Sequence, residues 1–207
     1  MKQADQPTWA ALDEAAMLDD PFELFSAWYD EAAALVREPE AICVATASAS
    51  GQPRARMVLL RAFDERGFVF HTNYHSIKGH DIEENPKVAM LWFIEEQGRQ
   101  VRIEGQVEML SASESDSYFA RRNRGHQLAA LSSEQSQPIS SRHDLEERFA
   151  RFEAEYEGKD VGRPAHWGGY RIVPTLFEFW QQRPDRMHDR FFFTRDASAW
   201  THQRHQP

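Results

Sequence analysis

One cysteine, Cys43, is all that 207 residues contain. A lone thiol excludes an internal disulfide and fits a reducing compartment. Set in Ala41-Ile-Cys-Val-Ala with no basic neighbour, it reads as a small core residue of a strand rather than a reactive thiol. Long apolar runs are lacking too. None approaches the length of a membrane span, and the opening MKQADQPTWAALDEAA has no apolar stretch of a secretory leader. A cytoplasmic protein with no membrane partner is expected. Positive charge is in short supply: 24 Lys and Arg stand against 33 Asp and Glu, a net charge of -9. An acidic body is not attracted to nucleic acid, so no nucleic-acid partner is expected. The zinc-protease, serine-hydrolase, P-loop and dinucleotide-binding glycine motifs are all missing. The histidines are scattered, with His71, His75 and His80 the closest set, and no metal is expected.

What is present suits a single domain over 21–207, preceded by a polar, Ala-rich arm over 1–20 that reads as loosely held. From Pro21 the apolar residues Phe22, Phe25, Trp28 and Tyr29 recur at helical spacing, with Asp20 as N-cap. Short apolar runs then predict strands at Ala41–Ala47, Arg54–Phe63, Phe68–Thr72, Lys87–Phe93 and Gln100–Leu110, separated by turn signals. A short helix is expected over Ser76–Glu84, halted by Asn85-Pro86. Residues 111–131 and 140–157 read as helical, with Ser111 and Ser140 as caps. The tail returns to strands, including Thr175–Trp180 and Met187–Thr194. Many strands interrupted by a few helices indicate a mainly β, barrel-like α+β domain.

An acidic chain that gathers its cations in a few places is informative. Arg186, His188 and Arg190 alternate at i, i+2 and i+4, which on a strand puts all three on one face. They form either a solvated edge or an anion site. Arg121, Arg122 and Arg124 surround a helix end, where cations are stabilising on general grounds. Arg54-Ala-Arg-Met-Val-Leu-Leu-Arg places arginines at both ends of a strand. Arg56 and Arg61 differ by five, so either a bulge intervenes or they serve different neighbours. Ser76-Ile-Lys-Gly opens a helix whose free N–H groups and lysine suit a phosphate. Several phosphate-suited sites on a barrel, with an exposed-looking Trp180, fit a phosphorylated aromatic cofactor.

In order and spacing these segments resemble the pyridoxamine 5'-phosphate oxidase family from about Asp20 to the C-terminus. The most specific stretch is Phe179-Trp-Gln followed by Arg186-Met-His-Asp-Arg. It is supported by Arg56-Met-Val-Leu-Leu, Phe70-His-Thr-Asn, Arg99-Gln-Val, Tyr118-Phe-x-x-Arg122 and Trp167-Gly-Gly-Tyr-Arg. The resemblance implies an FMN-binding split β-barrel with peripheral helices, working as a homodimer with flavin shared between subunits. It implies that Arg56, Lys78, Gln135 and Ser136 hold the FMN phosphate and ribityl region. His71, Thr72 and the run Arg56, Met57, Val58, Leu59, Leu60, Arg61 would lie along the cofactor, and Gln100, Trp180 and Arg190 would reach the flavin from the partner or its rim. The substrate phosphate would sit among Arg61, Tyr118, Arg122 and His126, with Arg186 and His188 as catalytic residues at the pyridine ring. The implied reaction oxidises pyridoxamine or pyridoxine 5'-phosphate with dioxygen to pyridoxal 5'-phosphate, releasing hydrogen peroxide.

Several positions depart from the family pattern. Arg61 stands for a lysine, Ile77 for an arginine, His71 for a tyrosine, His126 for a serine and Leu131 for a tryptophan, and His205 interrupts the usual ending. These leave open a related flavin oxidase with another substrate, such as a phenazine precursor, or a non-catalytic flavin-binding protein.

Overall fold

The computed structural model describes residues 9–196 and 199–207. Within them the chain runs through α1 (Pro21–Ala33), β1 (Ala41–Ala47), β2 (Pro53–Leu59), β3 (Ala62–Asp64), β4 (Gly67–Asn73), α2 (Ile77–Glu84), β5 (Lys87–Ile94) and β6 (Arg99–Met109). It continues through α3 (Ala112–Ala120), α4 (Arg124–Ser132), α5 (Arg142–Glu155), β7 (Trp167–Gln181), β8 (Asp189–Asp196) and β9 (Ala199–His205). The strands form one antiparallel sheet in the order β2-β1-β5-β6-β7-β4-β3, with β8 and β9 branching from β7. One edge of β7 is followed by β6 along its length. The other edge pairs with β4 over Trp167–Ile172 and with β8 over Leu176–Gln181. This long strand therefore serves both halves of a split β-barrel.

The β6–β7 register shifts between Glu104 and Gly105. A Cβ on Gly105 would lie 2.2 Å from the Val173 carbonyl oxygen, so the bulge that bends the sheet needs glycine there. Alternation on β1 and β5 buries Ile42, Val44, Met90 and Trp92, and α1 lays Leu24, Phe25 and Trp28 over them. Asp20 caps α1, its carboxylate accepting from the Phe22 N–H at 2.8 Å. Phe25 meets Phe63 and Phe68 edge-on at 5.0 and 4.9 Å. Phe25 and Phe68, both fully buried, contribute about 1.5–3 kcal/mol each. A smaller core of Phe119, Leu128, Val161 and Trp167 ties α3, α4 and α5 to the start of β7.

Four expectations are corrected. The strand expected over Arg54–Phe63 breaks after Leu59. Leu60 is buried and donates its N–H to Glu40, while the Arg61 N–H goes to Val69. The single helix expected over 111–131 is two, broken at Arg121–Asn123; Ser111 does cap the first, through a reciprocal pair with Glu114. The cap of α5 is Ser141 rather than Ser140, its hydroxyl accepting from Asp144. Finally, the last strand pair starts at Asp189 and not Met187. Pro184–Arg186 forms a 3-10 turn in which Asp185 and Arg186 have φ of 56° and 63°. The alternation read for Arg186, His188 and Arg190 does not hold, because only Arg190 is in the strand.

Of the arm expected over 1–20, residues 1–8 lie outside the described residues. From Trp9 the chain lies along the barrel. The Trp9 indole donates to Glu96, the Leu12 N–H donates to Asp189, and Arg204 bonds Glu14.

Candidate functional site

A cleft of about 1030 Å³ opens between the edge strand β2, the end of β4, the start of α2 and the α3–α4 cover. Its cations are Arg54, Arg56, Arg61, Lys78 and Arg122, and among the described residues no Asp or Glu lines it. In a chain of net charge -9, that is a strong local reversal of sign. The cations fall into two groups.

The first group gathers at the start of α2. Ser76 caps the helix, its hydroxyl accepting from Gly79 and donating to Asn73. Lys78 is buried, and its ammonium donates to Thr72 Oγ1 at 3.0 Å, Ser76 Oγ at 3.0 Å and Gln135 Oε1 at 2.9 Å. All three acceptors are neutral. Burial, and then the nearby Arg56 charge, push the Lys78 ammonium down to about 8. Arg56 donates to the Val44 carbonyl at 2.8 Å and sits 3.9 Å from Asp81, and burial lowers its pKa as well. Ser136, at a φ of 76°, accepts from the Ile77 N–H, so a left-handed turn brings its hydroxyl to the helix start.

The second group lies under α3 and α4. Arg122 projects over the Trp167 ring at 4.3 Å, and its Nη1 is buried without a partner. His71 stacks on Tyr118 at 3.8 Å and 13°, and on Trp167 at 5.3 Å and 16°. Among the described residues neither ring nitrogen of His71 has a hydrogen-bond partner. Burial first, and then the Arg122 and Arg61 charges, pull this imidazole down to about 4, so it is neutral at pH 7. Burial and the neighbouring Arg61 also lower Arg122. A half-buried guanidinium with a desolvated Nη1 costs free energy that a bound anion would offset.

Of the residues expected at a site, the cleft gathers Arg56, Met57, Val58, Leu59, Arg61, His71, Thr72, Lys78, Tyr118, Arg122, His126, Gln135 and Ser136. The break after Leu59 is what lets Arg56 and Arg61 share it. Leu60 turns into the core and lines nothing there. Gln100, Trp180, Arg186, His188 and Arg190 also lie outside the cleft. These five form a second cluster instead. Gln100 and Arg190 flank Trp180 in register on β6 and β8, and the His188 ring is 4.6 Å from the Trp180 ring. His188 Nδ1 accepts from the Arg183 N–H at 3.1 Å. Arg190 pairs at 2.6 Å with Glu178, which also holds Arg102 at 2.7 Å. Arg186 is exposed on its turn.

Sequence reasoning omitted Arg54 and Trp167 from the site. Arg54 carried a signal, since it precedes Arg56 by two and shares its face of β2. Trp167 reaches the cleft only because β7 pairs with β4, which no local pattern reveals.

Comparison with known proteins follows the same outline. A family described as Pyridoxamine 5'-phosphate oxidase matches residues 29–156, and one described as Pyridoxine 5'-phosphate oxidase C-terminal dimerisation region matches 167–207. A pyridoxine/pyridoxamine 5'-phosphate oxidase of Burkholderia multivorans is 52% identical over 202 residues, covering 96% of this chain and 94% of that protein. One from Rubrobacter xylanophilus is 49% identical, covering 97% and 93%. Among solved structures, PhzG from Burkholderia lata, in complex with tetrahydrophenazine-1-carboxylic acid, superimposes with a TM-score of 0.90. It is 31% identical and covers 97% of this chain and 100% of its own.

Proposed function

Because the chain belongs to the pyridoxamine 5'-phosphate oxidase family, we propose that it oxidises pyridoxamine or pyridoxine 5'-phosphate to pyridoxal 5'-phosphate, with FMN as cofactor and dioxygen as acceptor. The observation that carries this reading is the pair of separate cation groups in one cleft free of carboxylates. Two phosphate-bearing molecules, cofactor and substrate, account for both. The donor set at the first group fits the FMN phosphate: a buried ammonium with only neutral partners, a guanidinium, and the hydroxyl and amide of Ser136 and Gln135. The second group, Arg61, Tyr118, Arg122 and His126, fits the substrate phosphate, since guanidinium and phosphate form charge-assisted hydrogen bonds.

FMN, when bound, would supply the two-electron redox chemistry between the vitamer and dioxygen. The protein's own share is binding and orientation. Arg56 and Lys78 would neutralise the cofactor's charge, Thr72 and the β2 backbone would hold its ring, and Arg122 and Tyr118 would fix the substrate end. Arg186 and His188 are assigned to the pyridine ring. Since they lie outside the cleft of their own chain, as do Gln100, Trp180 and Arg190, they are assigned to the cleft of a partner. The dimerisation match over 167–207 supports homodimer formation and contains four of these five residues. Hydrogen peroxide leaves as the second product, pyridoxamine 5'-phosphate also consuming water and releasing its amine nitrogen as ammonia, and the cytoplasm is the expected place of work.

Likeness to PhzG sustains a second reading, because the carboxylate of a phenazine precursor would also suit Arg61 and Arg122. Anaerobic reduction decides between them. The purified protein should be yellow and bleach on addition of pyridoxamine 5'-phosphate. Bleaching by a dihydrophenazine carboxylic acid alone establishes the second reading, and bleaching by neither leaves a flavin-binding protein.

A further inference from the structure

Arg54 has no role in that assignment, yet it lines the cleft beside Arg56 and Lys78. It lies two residues before Arg56 on β2, so both side chains leave the same face of the strand. Both turn toward one carboxylate. Arg54 Nη1 is 2.5 Å from Asp81 Oδ1, and Arg56 Nη2 is 3.9 Å from Asp81 Oδ2. The Asp81 side chain is only 4% exposed and is further fixed by the Thr46 hydroxyl at 2.7 Å. It sits behind the arginines and does not line the cleft. The Arg54 side chain, by contrast, is 40% exposed. One of its five N–H donors is engaged by Asp81, and the guanidinium stays open toward the cleft.

Charge balance gives this arrangement its meaning. Three cations, Arg54, Arg56 and Lys78, face one carboxylate, which leaves an excess of two positive charges, enough to balance the two negative charges of a phosphate monoester dianion. Without Arg54, Asp81 would neutralise half of what remains. Ile77, on the first turn of α2 at the same end of the cleft, is 48% exposed and offers no side-chain donor.

We infer that Arg54 is a further binding residue for the cofactor phosphate, and that buried Asp81 is the positioning residue that holds Arg54 and Arg56 toward it. This inference rests on the reading of the cleft as an FMN site. The bland alternative is an ion pair that merely fastens α2 to β2.

Flavin titration of the full-length protein, stripped of cofactor and followed by fluorescence quenching, separates the two, using FMN and riboflavin as probes that differ only in the phosphate. Wild-type protein binding neither flavin overturns the functional reading itself, before any variant is made. With that reading intact, Arg54→Gln should weaken FMN by about ten- to a hundredfold and leave riboflavin within about twofold. Adding Ile77→Arg to Arg54→Gln should recover most of the FMN affinity by returning a guanidinium to the same end of the cleft. An unchanged preference for FMN over riboflavin in Arg54→Gln overturns the inference, as does equal loss of both flavins. Failure of Ile77→Arg to recover affinity overturns it too, because the loss then comes from an unpaired Asp81.

Discussion

The cleft and the C-terminal strand pair hold similar side chains in opposite circumstances. In the cleft, Lys78 has only neutral acceptors and Arg122 has an unpartnered Nη1, and burial lowers the pKa of both. At the other end of β7, Arg190 and Arg102 share buried Glu178, and Arg186 stands exposed on a left-handed turn. Lys78 and Arg122 keep their charge for an anion, whereas Glu178 offsets one of the two charges that it holds, as Asp81 does for Arg54 and Arg56. On the proposed reading the cleft supplies the phosphate-binding groups of a site from one chain. The C-terminal cluster supplies the rest from a partner, and four of its five residues fall in the stretch that matches a dimerisation region. Its value depends on what a second copy brings against it.

The sharpest way to break this picture is Arg186→Leu. On the proposed assignment the variant folds and keeps its flavin but loses about 2–5 kcal/mol of transition-state stabilisation. Steady-state kinetics with pyridoxine 5'-phosphate at wild-type rates would remove the C-terminal cluster from the site. Next in size is Arg122→Met, which should lower kcat/KM for the phosphorylated substrate by about 1.5–3 kcal/mol, mainly through KM. Unphosphorylated pyridoxine, compared in the same assay, should barely respond.

Mixed dimers test the division itself. If cleft and C-terminal cluster meet only across two chains, Lys78→Met and Arg186→Leu protomers should each be nearly inactive alone. Unfolded together and refolded, they should regain about a quarter of wild-type activity, because half the dimers then carry one intact site. No recovery would mean that both regions serve a site within one chain.

The smallest effect concerns His71. Its folded pKa of about 4 lies below the ordinary imidazole value of 6.5. Between those values the unfolded chain binds more protons, so stability falls as pH drops through that window. His71→Phe should keep the stack on Tyr118, remove two unsatisfied nitrogens, raise stability by about 1 kcal/mol and flatten the acid slope. Urea unfolding above and below the window measures both. An unchanged slope would assign the acid sensitivity to other groups.

Much of this architecture was open to sequence reasoning, for local reasons. A short apolar run made β1 legible to the residue, and Asp20-Pro21 marked the start of α1 because a cap and a proline at the first turn are local devices. The helix cap at Ser76 with Lys78 behind it was equally readable. Extrapolating alternation through Arg186 failed because two successive left-handed residues interrupt the strand, and nothing in Pro-Asp-Arg demands them. The break after Leu59 was hidden for a related reason: Leu60 and Arg61 donate to Glu40 and Val69, partners that no window around them contains.

Sequence by itself determined the residue types: a mainly β chain, poor in cations, that spends them at a helix start, on one strand and around a short helical cover. Tertiary structure alone decided which of those cations share a space. Pairing of β7 with β4 carries Trp167 and His71 together beneath Tyr118, and packing of α2 on β1 brings Asp81 to Arg54 and Arg56. Local preference is settled by a residue's own backbone and near neighbours. Charge balance in a cleft is set by groups far apart in sequence, whose burial together is fixed only when the sheet closes.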